Sequence, residues 1–113
     1  MILESEESAI SRGAPILAEV IGFHTSSDGT HIAQPHSESI ASCIKDALNS
    51  SGVSSSQIGY INAHATATPV GDLNEAQAIS KVFGSKTPYV SSTKSMTGHK
   101  MWMGGASEII YSV

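Results

Sequence analysis

The spacing of apolar residues changes period along this chain, and that alternation restricts the fold more than any other feature. In "PILAEVIGFH" the apolar Ile16, Leu17, Val20, Ile21 and Phe23 run almost without interruption, the pattern of a strand covered on both faces. Further on, Ile40, Cys43, Ile44, Ala47 and Leu48 recur at helical spacing on one face, with Ser37 as candidate N-cap and Gly52 as the stop. "IGYINAH" reads as a short strand over about Gln57 to Asn62. A second helix follows, with Asp72 and Glu75 spaced as the N-cap and N3 of a capping box, a buried stripe of Leu73, Ala76, Ile79, Val82 and Phe83, and Gly84 at its end. "TPYVSS" is a third strand, "TKSMTGH" a loop, and "MWMGGASEIIYSV" a helix containing two glycines. Ahead of all this, Met1 to Leu3 reads as a strand end and Glu6 to Arg12 as a short helix closed by Gly13.

The order β-α-β-α-β-α with short connections predicts α/β layers, in which ligands gather at loops beyond the carboxyl ends of parallel strands. His64 and His99 both fall in such loops. With 113 residues, 40% of them hydrophobic, there is material for one modest core and no second domain. The stripe Ile109, Ile110 and Val113 stops mid-pattern, and the first strand has nothing before it to pair with. We therefore expect residues 1–113 to be a single partial domain of a larger protein.

Charge and cysteine usage exclude several classes. A net charge of -4 with no basic block leaves no electrostatic footprint for nucleic acid or anionic lipid. The single cysteine, Cys43, makes no internal disulfide, and "MILESEESAI" lacks the basic and apolar regions of a signal peptide. No apolar run approaches the roughly 20 residues that cross a bilayer. The expectation is a cytoplasmic protein without membrane or nucleic-acid partners.

The chemistry concentrates in two loops rich in small residues, "NAHATATP" and "TKSMTGHK". An imidazole exchanges protons or donates to a developing oxyanion near neutral pH, so His64 and His99 together can polarise one carbonyl. Spacing alone leaves open whether each is a site residue or a polar loop residue. Lys94 is either an electrostatic tuner or an exposed lysine, and Glu108 either its partner or a solvated helix carboxylate. Thr66 and Thr68 either present two hydroxyls to an amide-bearing ligand or bond the local backbone. His24, His31 and His36 crowd one segment, but one cysteine on a helix face and no close ligand pairs do not make a zinc pattern, so no metal site is expected. Cys43 reads as a small core residue. The signatures of serine hydrolases, P-loop NTPases and dinucleotide enzymes are absent.

"YINAHATATPVGD" and "VSSTKSMTGH" resemble the two histidine motifs of the β-ketoacyl-acyl-carrier-protein synthases, the elongating condensing enzymes of the thiolase superfamily. "LESEESAISRGAPILAEVIGF", "SSDGTHIAQP" and "GASEII" resemble the segments around them, so the likeness runs through the chain in order. The resemblance implies the carboxyl-terminal half of a thiolase-like fold: layered helices on a mixed, mainly parallel sheet, lacking its last strands. It implies decarboxylative condensation of malonyl-carrier protein with an acyl thioester held on a cysteine, in fatty acid or polyketide synthesis. His64 and His99 would hold the malonyl thioester carbonyl, Lys94 paired with Glu108 would fix the field behind them, and Thr66 and Thr68 would contact the phosphopantetheine arm. Acyl carrier protein and acyl and malonyl thioesters are the implied partners, a homodimer the implied assembly, and no cofactor is needed beyond the arm the carrier brings.

The departures carry consequences. Cys43 does not match the nucleophile, which belongs to the family's first half, so the isolated chain is expected to be inactive. Ala65 and Ala67 replace a common glycine and serine, Ala33 replaces a common threonine, and Trp102 and Met103 replace small residues. A partner subunit that keeps the fold and loses the chemistry is the rival reading, against which intact His64, Lys94 and His99 stand.

Overall fold

The computed structural model describes all residues, Met1–Val113. Five helices and two strands form, in the order α1 (Glu6–Ser11), α2 (Ser37–Ser51), β1 (Tyr60–Asn62), α3 (Pro69–Phe83), β2 (Tyr89–Ser91), α4 (Lys94–Thr97) and α5 (Gly104–Ser112). β1 and β2 pair in parallel, with Tyr60 opposite Tyr89, Ile61 opposite Val90 and Asn62 opposite Ser91. A crossover through α3 separates the two strands in sequence, as parallel pairing requires. The hydrogen bond from Ala63 N–H to Ser91 O, 2.8 Å, carries the pairing one residue beyond β1.

The expected strands at Met1–Leu3 and along "PILAEVIGFH" do not form. A strand is defined by the ladder it makes with a neighbour, and this chain brings no neighbour alongside either segment. The second segment lies against α2: a Cβ added to Gly22 would sit 2.7 Å from Ser51 Cβ and 3.3 Å from Ala47 O, and the Cys43 thiol reaches His24 O at 3.7 Å. Its side chains are left in solvent, with Leu17 and Phe23 each 80% exposed. The mixed sheet thus reduces to two parallel strands.

Helices follow the pattern with two shifts at their starts. Ser37 is the first residue of α2, behind His36 as N-cap. Its buried hydroxyl accepts from Lys81 Nζ at 3.3 Å instead of capping, and Lys81 also pairs with Glu38, tying α3 to α2. Lys81 holds the Glu38 carboxyl below the ordinary carboxylate range. α3 begins at Pro69 behind Thr68, three residues before the expected cap Asp72. Pro at the first helical position has no N–H to leave unpaired and a φ already set for helix. The buried stripe of α3 is Ala78, Ile79 and Phe83, whereas Leu73 and Ala76 face solvent because nothing in the chain covers that side. Gly52 ends α2 at φ 68°, its N–H and that of Val53 satisfying Asn49 O and Leu48 O. Cys43, expected in the core, is half-buried. "TKSMTGH", expected as a loop, contains the single turn α4.

Only 10 of 113 residues are buried, so the core is small, centred between α2 and α3. No helix is long and apolar enough to cross a membrane.

Candidate active site

The two strands end side by side, and each hands the chain to a histidine loop. His64 follows Ala63 directly. Its N–H and that of Ala65 donate to the two oxygens of Glu75, both at 2.8 Å, so one carboxylate of α3 clamps the loop. Bonds from neutral donors to an ionised acceptor are among the stronger ones in proteins. Beyond the clamp the backbone turns through Ala65 at φ 20° and Ala67 at φ 66°. The second loop runs from Ser91 through α4 to Gly98, at φ 71°, and His99. Ser92 Oγ donates to Ala65 O at 3.2 Å and joins the two loops.

His99 has a defined proton. Met101 N–H donates to its Nδ1 at 3.2 Å, so in the neutral ring Nδ1 is the acceptor and Nε2 carries the hydrogen. Met101 reaches this position at φ 48°. Ala65, Ala67 and Met101 are the three non-glycine residues with positive φ, and all of them flank one of the two histidines. L-residues resist that conformation, and such strain collects at functional sites.

The imidazoles meet edge to face, ring centroids 5.1 Å apart and planes 84° apart. Both residues are exposed in this chain. At the start of α4 Lys94 is buried, its side chain 5% exposed, and its ammonium pairs with Glu108, 18% exposed, on α5. A charge so removed from water persists only with a partner. The sequence alternatives for Lys94 and Glu108 thus resolve in space to a buried ion pair. Thr66 and Thr68 turn their hydroxyls toward each other, 3.3 Å apart, and not to the local backbone. Gly71 clears the space for this, since a Cβ there would collide with the Thr68 hydroxyl.

The structure therefore gathers His64, His99, Lys94, Glu108, Thr66 and Thr68 at the carboxyl ends of β1 and β2. Glu75, read from sequence as a capping residue, is the member that sequence reasoning missed. Its spacing from the false cap Asp72 hid its true partners, the two amides of the histidine loop. The crowded His24, His31 and His36 do not become a cluster in space, and no three His, Cys, Asp or Glu side chains gather around a point. A cleft of about 550 Å³ lies between the Ser26–Ile32 loop and α2, and neither imidazole lines it. The imidazoles lie on open surface, so chemistry, not concavity, marks the site.

A solved structure of the ishigamide ketosynthase/chain length factor superposes with a TM-score of 0.91 and 42% identity, over 95% of this chain and 27% of that one. A type II polyketide synthase acyl-carrier protein in complex with its ketosynthase, bound to the hexaketide, gives a TM-score of 0.90 at 36% identity, covering 96% and 28%. The fold is thus that of a truncated thiolase-like condensing enzyme. In sequence, residues 17–113 match the β-ketoacyl synthase C-terminal domain. The 3-oxoacyl-acyl-carrier-protein synthase 1 of Haemophilus influenzae is 45% identical over all of this chain and 27% of its own length. The chain belongs to the β-ketoacyl synthase family and spans about a quarter of such relatives.

Proposed function

We propose that this chain supplies the decarboxylation half of a β-ketoacyl-acyl-carrier-protein synthase, in fatty acid or polyketide synthesis. The observation that carries the proposal is the edge-to-face pair His64 and His99, 5.1 Å apart, at the ends of two parallel strands. The malonyl thioester oxygen sits between the imidazoles and accepts from them. As the carbon–carboxylate bond breaks, its electron pair moves toward that carbonyl, carbon dioxide leaves, and hydrogen-bond donors already in place stabilise the enolate oxygen. The enolate carbon then attacks an acyl thioester and expels its thiolate, so one carbon–carbon bond replaces one carbon–sulfur bond. The Nε2–H tautomer that Met101 imposes on His99 suits a donor of this kind. Lys94 and Glu108 fix the charge behind the loop, and Thr66 and Thr68 offer hydroxyls to the amides of the phosphopantetheine arm.

The acylated cysteine belongs to sequence outside these residues. Acyl and malonyl thioesters on an acyl carrier protein are the partners, and the working assembly is a homodimer. The complex of a related ketosynthase with its acyl-carrier protein supports the carrier. Alone, residues 1–113 perform no condensation. The rival, a non-catalytic partner subunit, takes support from the ketosynthase/chain length factor among the similar structures. An upstream cysteine in a strand-to-helix turn favours the enzyme, and its replacement favours the partner.

The test uses full-length protein. His64→Ala or His99→Ala is expected to abolish release of carbon dioxide from malonyl-carrier protein while acyl transfer to the cysteine continues. Unchanged decarboxylation in both variants would refute the roles assigned to the two histidines.

A further inference from the structure

His99 stands between two lysines, and both reach the same helix. Upstream, buried Lys94 pairs with Glu108 of α5. Downstream, Lys100 Nζ donates to the Tyr111 hydroxyl at 2.8 Å. Glu108 and Tyr111 are three residues apart on α5, the spacing that places side chains as neighbours on one helix face. The Lys100 ammonium lies 5.3 Å from the Tyr111 ring centroid, nearly the sum of the centroid-to-oxygen distance and the hydrogen bond. It therefore sits at the hydroxyl in line with the ring, not over its face, and the contact is a charge-assisted hydrogen bond.

Lys100 is held by its backbone too. Its carbonyl accepts from Met103 N–H at 3.0 Å, closing the 3₁₀ turn Met101–Met103. Within that turn Met101, at φ 48°, delivers the N–H that bonds His99 Nδ1. A methionine at this φ relaxes unless its neighbours fix it. The side-chain bond to Tyr111 is the tether that joins this strained turn to α5.

From this geometry we propose that Lys100 and Tyr111 are positioning residues. Their contact holds the Lys100–Met101 turn so that Met101 N–H stays on His99 Nδ1 and the ring keeps its hydrogen on Nε2, the nitrogen left free to donate. Lys100 acts through Met101 and does not touch the reacting atoms. The functional value of the latch rests on the role proposed above for His99, but its test does not.

The test is the tautomer of His99 in the full-length protein, read from ring nitrogen chemical shifts. His31, whose Nδ1 accepts from Ala33 N–H at 3.1 Å, serves as an internal reference remote in sequence from the latch. In Lys100→Met and in Tyr111→Phe, the ratio of the Nε2–H to the Nδ1–H form at His99 is expected to fall about threefold or more, the scale of one lost hydrogen bond. Lys100→Arg, which keeps a cationic donor, is expected to restore at least half of the ratio. If Lys100→Met loses helical signal, Tyr111→Phe, which deletes a single oxygen, decides the matter. A wild-type ratio at His99 in Tyr111→Phe overturns the proposal, and so does a change shared equally by His31. Because no turnover is measured, this result and the decarboxylation result stand or fall separately.

Discussion

At the scale of single residues, the histidine loops depend on groups whose chemistry is not catalytic. Glu75 accepts from two successive backbone amides of the His64 loop. Glu75→Ala strands both donors, and since the Ala65 amide is half-buried, the loss is expected to be about 2 kcal/mol of stability. Glu75→Gln keeps one acceptor oxygen and should lose about half of that. Urea denaturation of the two variants measures the difference, and equal stability of Ala and wild type would rule out the clamp. The sequence exposed the candidate histidines because two of them stood after strands among small residues. It did not expose Glu75, since a carboxylate near a helix start looks alike whether it caps its own helix or reaches back to a loop. Nor did it expose the positive φ of Ala65, Ala67 and Met101, because such residues carry no preference for that conformation.

At the scale of elements, α5 is the anchor of the second loop. Through Glu108 it neutralises the buried Lys94 of α4. Glu108→Gln leaves an ammonium out of water without a counter-charge and is expected to destabilise the chain by about 3 kcal/mol, while loss of both charges in Lys94→Met with Glu108→Gln should cost less. Thermal or urea unfolding decides this, and a double variant that costs the sum of Lys94→Met and Glu108→Gln alone would mean the pair is not coupled. At α2, Gly22→Ala is expected to cost about 1 to 3 kcal/mol through overpacking, because its Cβ would fall 2.7 Å from Ser51 Cβ. A neutral effect, by the same measurement, would show that the segment moves freely off the helix. Periodicity located α2, α3 and α5 because each helix carries its own hydrogen bonds. It misplaced the start of α3, where Pro69 at the first helical position was the better signal than Asp72. The strand read over "PILAEVIGFH" did not form, because a strand's bonds come from a neighbour that apolar content cannot supply.

At the scale of the whole molecule, the chain is more open than a self-contained domain. Its radius of gyration is 15.4 Å, against about 13 Å for a compact domain of this length. Leu17, Phe23 and Trp102 lie in solvent at 80%, 80% and 102% exposure, far more apolar surface than a stable monomer displays. The isolated chain is expected to enhance the fluorescence of a hydrophobic dye and to self-associate as its concentration rises, in light scattering. A monodisperse monomer without dye binding would contradict that. The imidazoles share this exposure, in a chain that spans about a quarter of a related synthase. The α/β class, the order α2-β1-α3-β2-α5 and the placement of both histidines were legible at this scale from the alternation of period and from the two motifs. The extent of the sheet was not, since a strand's ladder depends on a neighbour that apolar content does not specify.

The central claim is that His64 and His99 act together on one carbonyl. Carbon dioxide release from malonyl-carrier protein by the full-length protein, in the two single alanine variants and the double, tests it most directly. Groups that hold the same oxygen act as a unit, so each single variant should lose nearly all of the rate, and the double should be little worse than either. Multiplicative losses, each histidine contributing its own factor regardless of the other, would contradict the account.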